Sequence, residues 1–165
     1  MATLTAIPVS HTSTDHDAVT CEIFIAAPRE RIFEALTNPA QAAQWWGEKG
    51  QYSMLNFSMD VRPGGKWFTT GHSAKSGDIK VQGEYLEIDP PRRLAYTWIS
   101  SWLPHVTKVL WELEAHNDGT ALKLTHTGFA GNVEATKAHT HGWNLALVWL
   151  QAYAERGETV ATRAQ

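Results

Sequence analysis

His126, His139 and His141 are the side chains of this sequence best suited to chemistry. His139-Thr140-His141 reads H-x-H, which on a strand would point both rings one way and could chelate a metal. On a helix, two residues turn by about 200°, so the rings diverge. No cysteine or carboxylate cluster joins them, and no metal site is expected. His126 and His139 pose a different question. Brought together in an apolar pocket, they could orient a ligand or act as general acid and base. The plainer alternative makes each a core histidine bonded to backbone or water, and it is preferred. Nucleophilic catalysis has little support. The sequence has no G-x-S-x-G, and Cys21 lies inside an apparent strand rather than at an exposed electropositive site. Pro63-Gly64-Gly65 reads as a hairpin turn, since no Walker or G-x-G-x-x-G pattern follows it. No catalytic residue is assigned and no cofactor is expected.

The aromatic content is the second signal. Eight tryptophans (Trp45, Trp46, Trp67, Trp98, Trp102, Trp111, Trp143 and Trp149) are more than a core of this size needs. Indole is bulky and carries an N–H that wants a partner, so it collects where a surface is apolar but partly wet. Tyr96, Trp98, Trp111 and Trp149 fall on inner faces, as core or as the lining of a cavity for a flat, hydrophobic ligand. Of the pair Trp45-Trp46, one anchors the preceding helices and the other, assigned as Trp46, borders the cavity mouth. Trp102-Leu103 sits in a turn, where it folds over the entrance or meets a partner.

The elements that must hold these residues follow from periodicity and turn chemistry. Residues 1–17 have no period and read as a flexible terminal segment. Val19, Cys21, Ile23 and Ile25 alternate with other residues as in a strand. Pro28 opens a helix over 29–37, and Asn38-Pro39 ends it and starts a second one reaching Trp45-Trp46. From Tyr52 to Thr127, turn residues at Pro63-Gly65, Lys75-Asp78, Asp89-Pro91, Ser100-His105 and Asn117-Gly119 divide six strands of an antiparallel meander. Asn132 caps a long helix that Gly157 stops. Its solvent stripe is Lys137, Thr140, Asn144, Gln151 and Glu155, opposite Ala135, His139, Gly142, Ala146, Trp149 and Tyr153. Gly142 and Ala146 are small and one turn apart, so a cavity between helix and sheet belongs toward the helix's N-terminal half.

Several function classes fall away on composition. Lys plus Arg number 14 against 17 Asp plus Glu, a net charge of −3, which offers no footprint for nucleic acid or an anionic membrane. One cysteine excludes a disulfide framework. No apolar run approaches the roughly 20 residues of a membrane span, and residues 1–17 lack the basic start of a secretory signal. A cytoplasmic protein is expected, with one domain over 18–157 and a tail over 158–165.

The run Ile25-Ala26-Ala27-Pro28-Arg29-Glu30-Arg31-Ile32-Phe33-Glu34-Ala35-Leu36-Thr37-Asn38-Pro39, with Trp45-Trp46 after it, resembles the opening of a known family. So do Asp60-Val61-Arg62-Pro63-Gly64-Gly65, the segment from Gly83 to Leu94 around Asp89-Pro90-Pro91, Gly119-Thr120 before His126, and Gly142-Trp143 in the last helix. It is the family of activator-of-heat-shock-protein-90-ATPase homologues, within the START-like, Bet v 1-like superfamily. The resemblance implies an α+β helix-grip fold: a seven-stranded antiparallel sheet curved around a long C-terminal helix, with two short helices after the first strand. It also implies a hydrophobic ligand held between sheet and helix. The candidate lining is Trp46, Tyr96, Trp98, Trp111, His126, His139, Gly142, Ala146 and Trp149. Two other readings stay open. One is an enzyme of cyclase, dehydratase or hydrolase type working through His126 and His139. The other is a co-chaperone or protein-interaction module. The family's eukaryotic co-chaperone has a separate N-terminal domain that the 17 residues before the first strand do not supply, so fold rather than chaperone contact is carried over. An edge strand and the apolar loop at Trp102 would suit a homodimer.

Overall fold

The computed structural model describes residues 5–163; residues 1–4 of the terminal segment and 164–165 of the tail lie outside the described residues. The chain begins with β1 (Val9–Thr12) and β2 (Ala18–Ile25), followed by α1 (Arg29–Thr37) and α2 (Pro39–Trp45). A two-residue strand, β3 (Gly47–Glu48), leads into β4 (Tyr52–Met59) and β5 (Lys66–Ser73). Then come β6 (Gly77–Asp89), β7 (Arg93–Ser100), β8 (Leu103–His116), β9 (Gly119–Thr127) and α3 (Val133–Arg156). All strands join one antiparallel sheet in the order β1-β2-β9-β8-β7-β6-β5-β4-β3. Register shifts in β4–β5, β6–β7 and β7–β8 bend it, since a bulge adds local twist to its strand.

The helix-grip fold stands, with nine strands among the described residues instead of seven. Both extra strands lie at sheet edges. β3 is too short to show alternation, and β1 lies in the segment expected to be loose. That expectation is corrected for the described part of residues 1–17. The Phe24 amide donates to Thr5 O at 2.7 Å, and β1 pairs with β2 along Val9–Thr12. The turn at Ser13–Asp17 then reaches the loop before α3, where Asp17 Oδ1 accepts from the Ala130 amide at 2.9 Å.

The same segment corrects the solvent stripe of α3. Asn144 donates to Ser10 Oγ at 3.2 Å, and Gln151 to Ala6 O at 2.9 Å and Phe24 O at 3.1 Å. Glu155 accepts from the Ala26 amide at 2.7 Å. Asn144 and Gln151 are therefore half-buried under the terminal segment and Glu155 against the bend after β2, while His141, Gly142 and Val148 are exposed. The caps of α3 match the sequence reading. Asn132 accepts from the Ala135 amide, and Gly157, at φ 71°, makes the left-handed stop.

The apolar face of the sheet is a wall of large side chains. Val19, Cys21, Ile23, Ile25, Val109, Trp111, Leu122 and Leu124 are buried, as the period-two pattern requires. Burial pushes the Cys21 thiol up to about 12, which removes it as a nucleophile. At one end of the wall the tail returns. Arg163 donates to Gly47 O and, at 2.9 Å, to Trp45 O, with its guanidinium 5.5 Å from the Trp149 ring. This contact ties α2, β3 and α3 together next to the cavity.

Candidate functional site

A cleft of about 390 Å³ opens between α3 and the β3–β4, β5–β6 and β7–β8 corners of the sheet. That lies within the roughly 300–1,000 Å³ of small-molecule sites. α3 supplies His139, Gly142, Trp143, Ala146 and Trp149 at spacings of three and four, one face of a helix. Opposite it, β7 places Trp98, the end of α2 places Trp46, and the β7–β8 turn places Trp102. Polar side chains are few and lie toward the rim: Glu48, Gln51, Lys75 and His141.

Five indoles build most of the wall. Trp46 stacks on Trp98 at 6.3 Å and meets Trp143 edge-on at 5.8 Å. Trp98 and Trp143 lie 5.3 Å apart. Tyr52 stacks on Trp149 at 6.2 Å, and burial raises its phenol above the ordinary range. Trp102, 44% exposed, borders the cleft from the β7–β8 turn.

The two histidines do meet, at 5.1 Å between ring centroids. His126 is locked. Thr107 Oγ1 donates its one hydrogen to Trp98 O at 3.0 Å, so the 2.7 Å contact with His126 Nε2 requires the proton on that nitrogen. Nδ1 of the same ring accepts from Trp143 Nε1 at 3.0 Å. Burial, and secondarily His139, hold its pKa well below 6.5. With both nitrogens engaged, His126 is a neutral joint between β8, β9 and α3, which leaves it no free nitrogen for the acid–base alternative. His139 is freer. Its Nδ1–H donates to Ala135 O at 2.8 Å, leaving the Nε2 lone pair on the cavity side with only Trp102 Nε1, at 3.4 Å, as partner. Burial lowers this imidazole too, against the Ala135 hydrogen bond, which raises it.

Six of the nine expected lining residues border the cleft: Trp46, Trp98, His139, Gly142, Ala146 and Trp149. Tyr96, Trp111 and His126 do not, and the reason is Trp143. Its ring stands edge-on over Trp111 at 5.7 Å and bonds His126, so these two lie behind it, and Tyr96 is held by Trp111 in turn. Trp111 also spends its N–H on Tyr96 Oη at 2.9 Å. The sequence reading missed Trp143, Tyr52 and the rim residues. Trp143 sits at the helical spacing from His139 and Ala146 that could have found it. The described residues contain no group of three His, Cys, Asp or Glu side chains able to hold a metal. None of their helices is long and apolar enough to cross a membrane.

A family model described as Activator of Hsp90 ATPase homolog 1-like protein matches residues 26–155. No curated protein matches the chain. Among solved structures, protein Ms6760 from Mycobacterium smegmatis is similar with a TM-score of 0.78 at 18% identity, over 90% of this chain and 96% of that one. Protein CV1439 from Chromobacterium violaceum is similar with a TM-score of 0.74 at 25% identity, over 84% and 97%. CalU16 from Micromonospora echinospora has a TM-score of 0.64 at 22% identity, over 91% and 85%.

Proposed function

The chain belongs to the Activator of Hsp90 ATPase homolog 1-like family, and on that basis we propose that it binds a small, flat, apolar or aromatic molecule between α3 and the sheet. The observation that carries this reading is the cleft of about 390 Å³ walled by five indoles, with few polar side chains, most of them at its rim. Flat aromatic surfaces gain from offset stacking beyond the area they bury. The family's description names a chaperone ATPase. A concave cleft of this size, however, suits a small molecule rather than a protein surface.

Gly142 supplies the test. A Cβ built there meets nothing within 4 Å, and the residue borders the cleft. The Cβ of Gly142→Leu therefore meets no neighbour and its side chain adds bulk at the cleft, and it replaces the poorest helix former short of proline in mid-helix. The variant is expected to gain up to about 0.8 kcal/mol in stability and to lose binding of planar aromatic probes such as 2-naphthol, measured by calorimetry. Binding that survives in the stabilised variant would place the ligand elsewhere.

A further inference from the structure

One side chain outside the cleft holds two of its walls. Residues 158–163 lie beyond the stretch 26–155 that matches the family model, and they fold back onto the end of α2. The last carbonyls of a helix have no donor within it, and they favour a nearby cation. α2 has no basic residue in its last turn. The tail supplies what is missing: the Val160 amide donates to Gln44 O at 2.8 Å, and Arg163 Nη2 to Trp45 O at 2.9 Å. Arg163 Nη1 also donates to Gly47 O, at 2.6 Å. Its two bonds therefore grip the carbonyls directly before and after Trp46. The same guanidinium lies 5.5 Å from the centre of the Trp149 ring, on which Tyr52 stacks at 6.2 Å. Trp46 and Trp149 border the cleft from the ends of two different helices, α2 and α3, and Arg163 itself is not part of the lining.

We infer that Arg163 is a positioning residue for the cleft, holding Trp46 and Trp149 in place before a ligand arrives. The inference rests on the cleft being a ligand site. Side chains that are already fixed need not be ordered when the ligand binds, and ordering two of them weakens affinity by about tenfold. Lysine cannot take over the whole task. Its ammonium is a compact point charge without the planar fork that meets two carbonyls while lying over a ring.

Calorimetric titration with 2-naphthol of the full chain, Arg163→Met, Arg163→Lys and Arg62→Met tests this. Arg163→Met keeps an apolar stem and is expected to bind about tenfold more weakly, with Arg163→Lys between it and the wild type. Arg62 is exposed and paired only with Asp60, so Arg62→Met makes the same change of charge and should bind like the wild type. All titrations are run well below the unfolding midpoint of each variant, where a loss of stability alone leaves the affinity unchanged. Should Arg163→Met fail to fold, Arg163→Lys decides. Wild-type affinity in a folded Arg163 variant would overturn the positioning role while leaving the cleft as an aromatic site. No binding by the wild type would overturn both.

Discussion

Alanine at Trp143 is expected to cost about 3–5 kcal/mol, a large part of the roughly 5–15 kcal/mol that holds such a domain together. Trp143 is 3% exposed and touches Trp46, Trp98 and Trp111 at 5.8, 5.3 and 5.7 Å. Its loss opens a void beside the cleft that neighbouring rings cannot fill without leaving their own contacts. It also strips His126 Nδ1 of its donor in a site from which water is excluded. Trp102→Ala is the control. Trp102 is 44% exposed, and its truncation should cost less than about 1 kcal/mol. Urea titration of the two variants checks the ordering. Equal costs would mean that Trp143 is not the post on which the wall stands.

Acid is expected to weaken the fold from about pH 6.5 downward. Burial, with His139 adding to it, holds His126 well below its ordinary 6.5, and burial also lowers His139. Both rings thus stay neutral in the folded chain at pH values where the unfolded chain takes up protons. The unfolded state then binds more protons, so this contribution is complete above about pH 6.5 and is lost as pH falls. Each histidine contributes a slope of up to about 1.4 kcal/mol per pH unit until its folded pKa is reached. Urea midpoints measured from about pH 7.5 to about pH 5 should fall, and in His126→Phe they should fall less steeply. A flat profile, or the same slope in the variant, would mean that His126 is not held neutral by its surroundings.

How much of this was legible in the sequence depended on the kind of signal. The alternation of Val19, Cys21, Ile23 and Ile25, the caps Asn132 and Gly157, and the turn residues of the meander act locally, and each appears where the pattern put it. The fold followed from them. β1 and the polar stripe of α3 were not legible because they depend on each other. Asn144, Gln151 and Glu155 look like a solvent face until residues 6–26 lie on them. The cleft was legible by face but not by depth. Period-two alternation puts Tyr96, Trp98 and Trp111 on one side of the sheet, yet only the seating of Trp143 decides that Trp98 meets the cavity and Trp111 does not. The rim residues Gln51 and Lys75 belong to turns at the β3–β4 and β5–β6 corners, and Glu48 to a two-residue strand, where no period exists to read.

A ligand seated between α3 and the sheet would sit among a particular set of tryptophans, and their indole N–H resonances report on it directly. In a ¹H–¹⁵N spectrum of the chain titrated with 2-naphthol, the signals of Trp46, Trp98, Trp102, Trp143 and Trp149 should move. Those of Trp45, Trp67 and Trp111, which lie outside the cleft and donate to Ala35 O, Thr97 O and Tyr96 Oη, should stay in place. A spectrum that does not change, or one in which the second set moves and the first does not, would contradict a ligand site between α3 and the sheet.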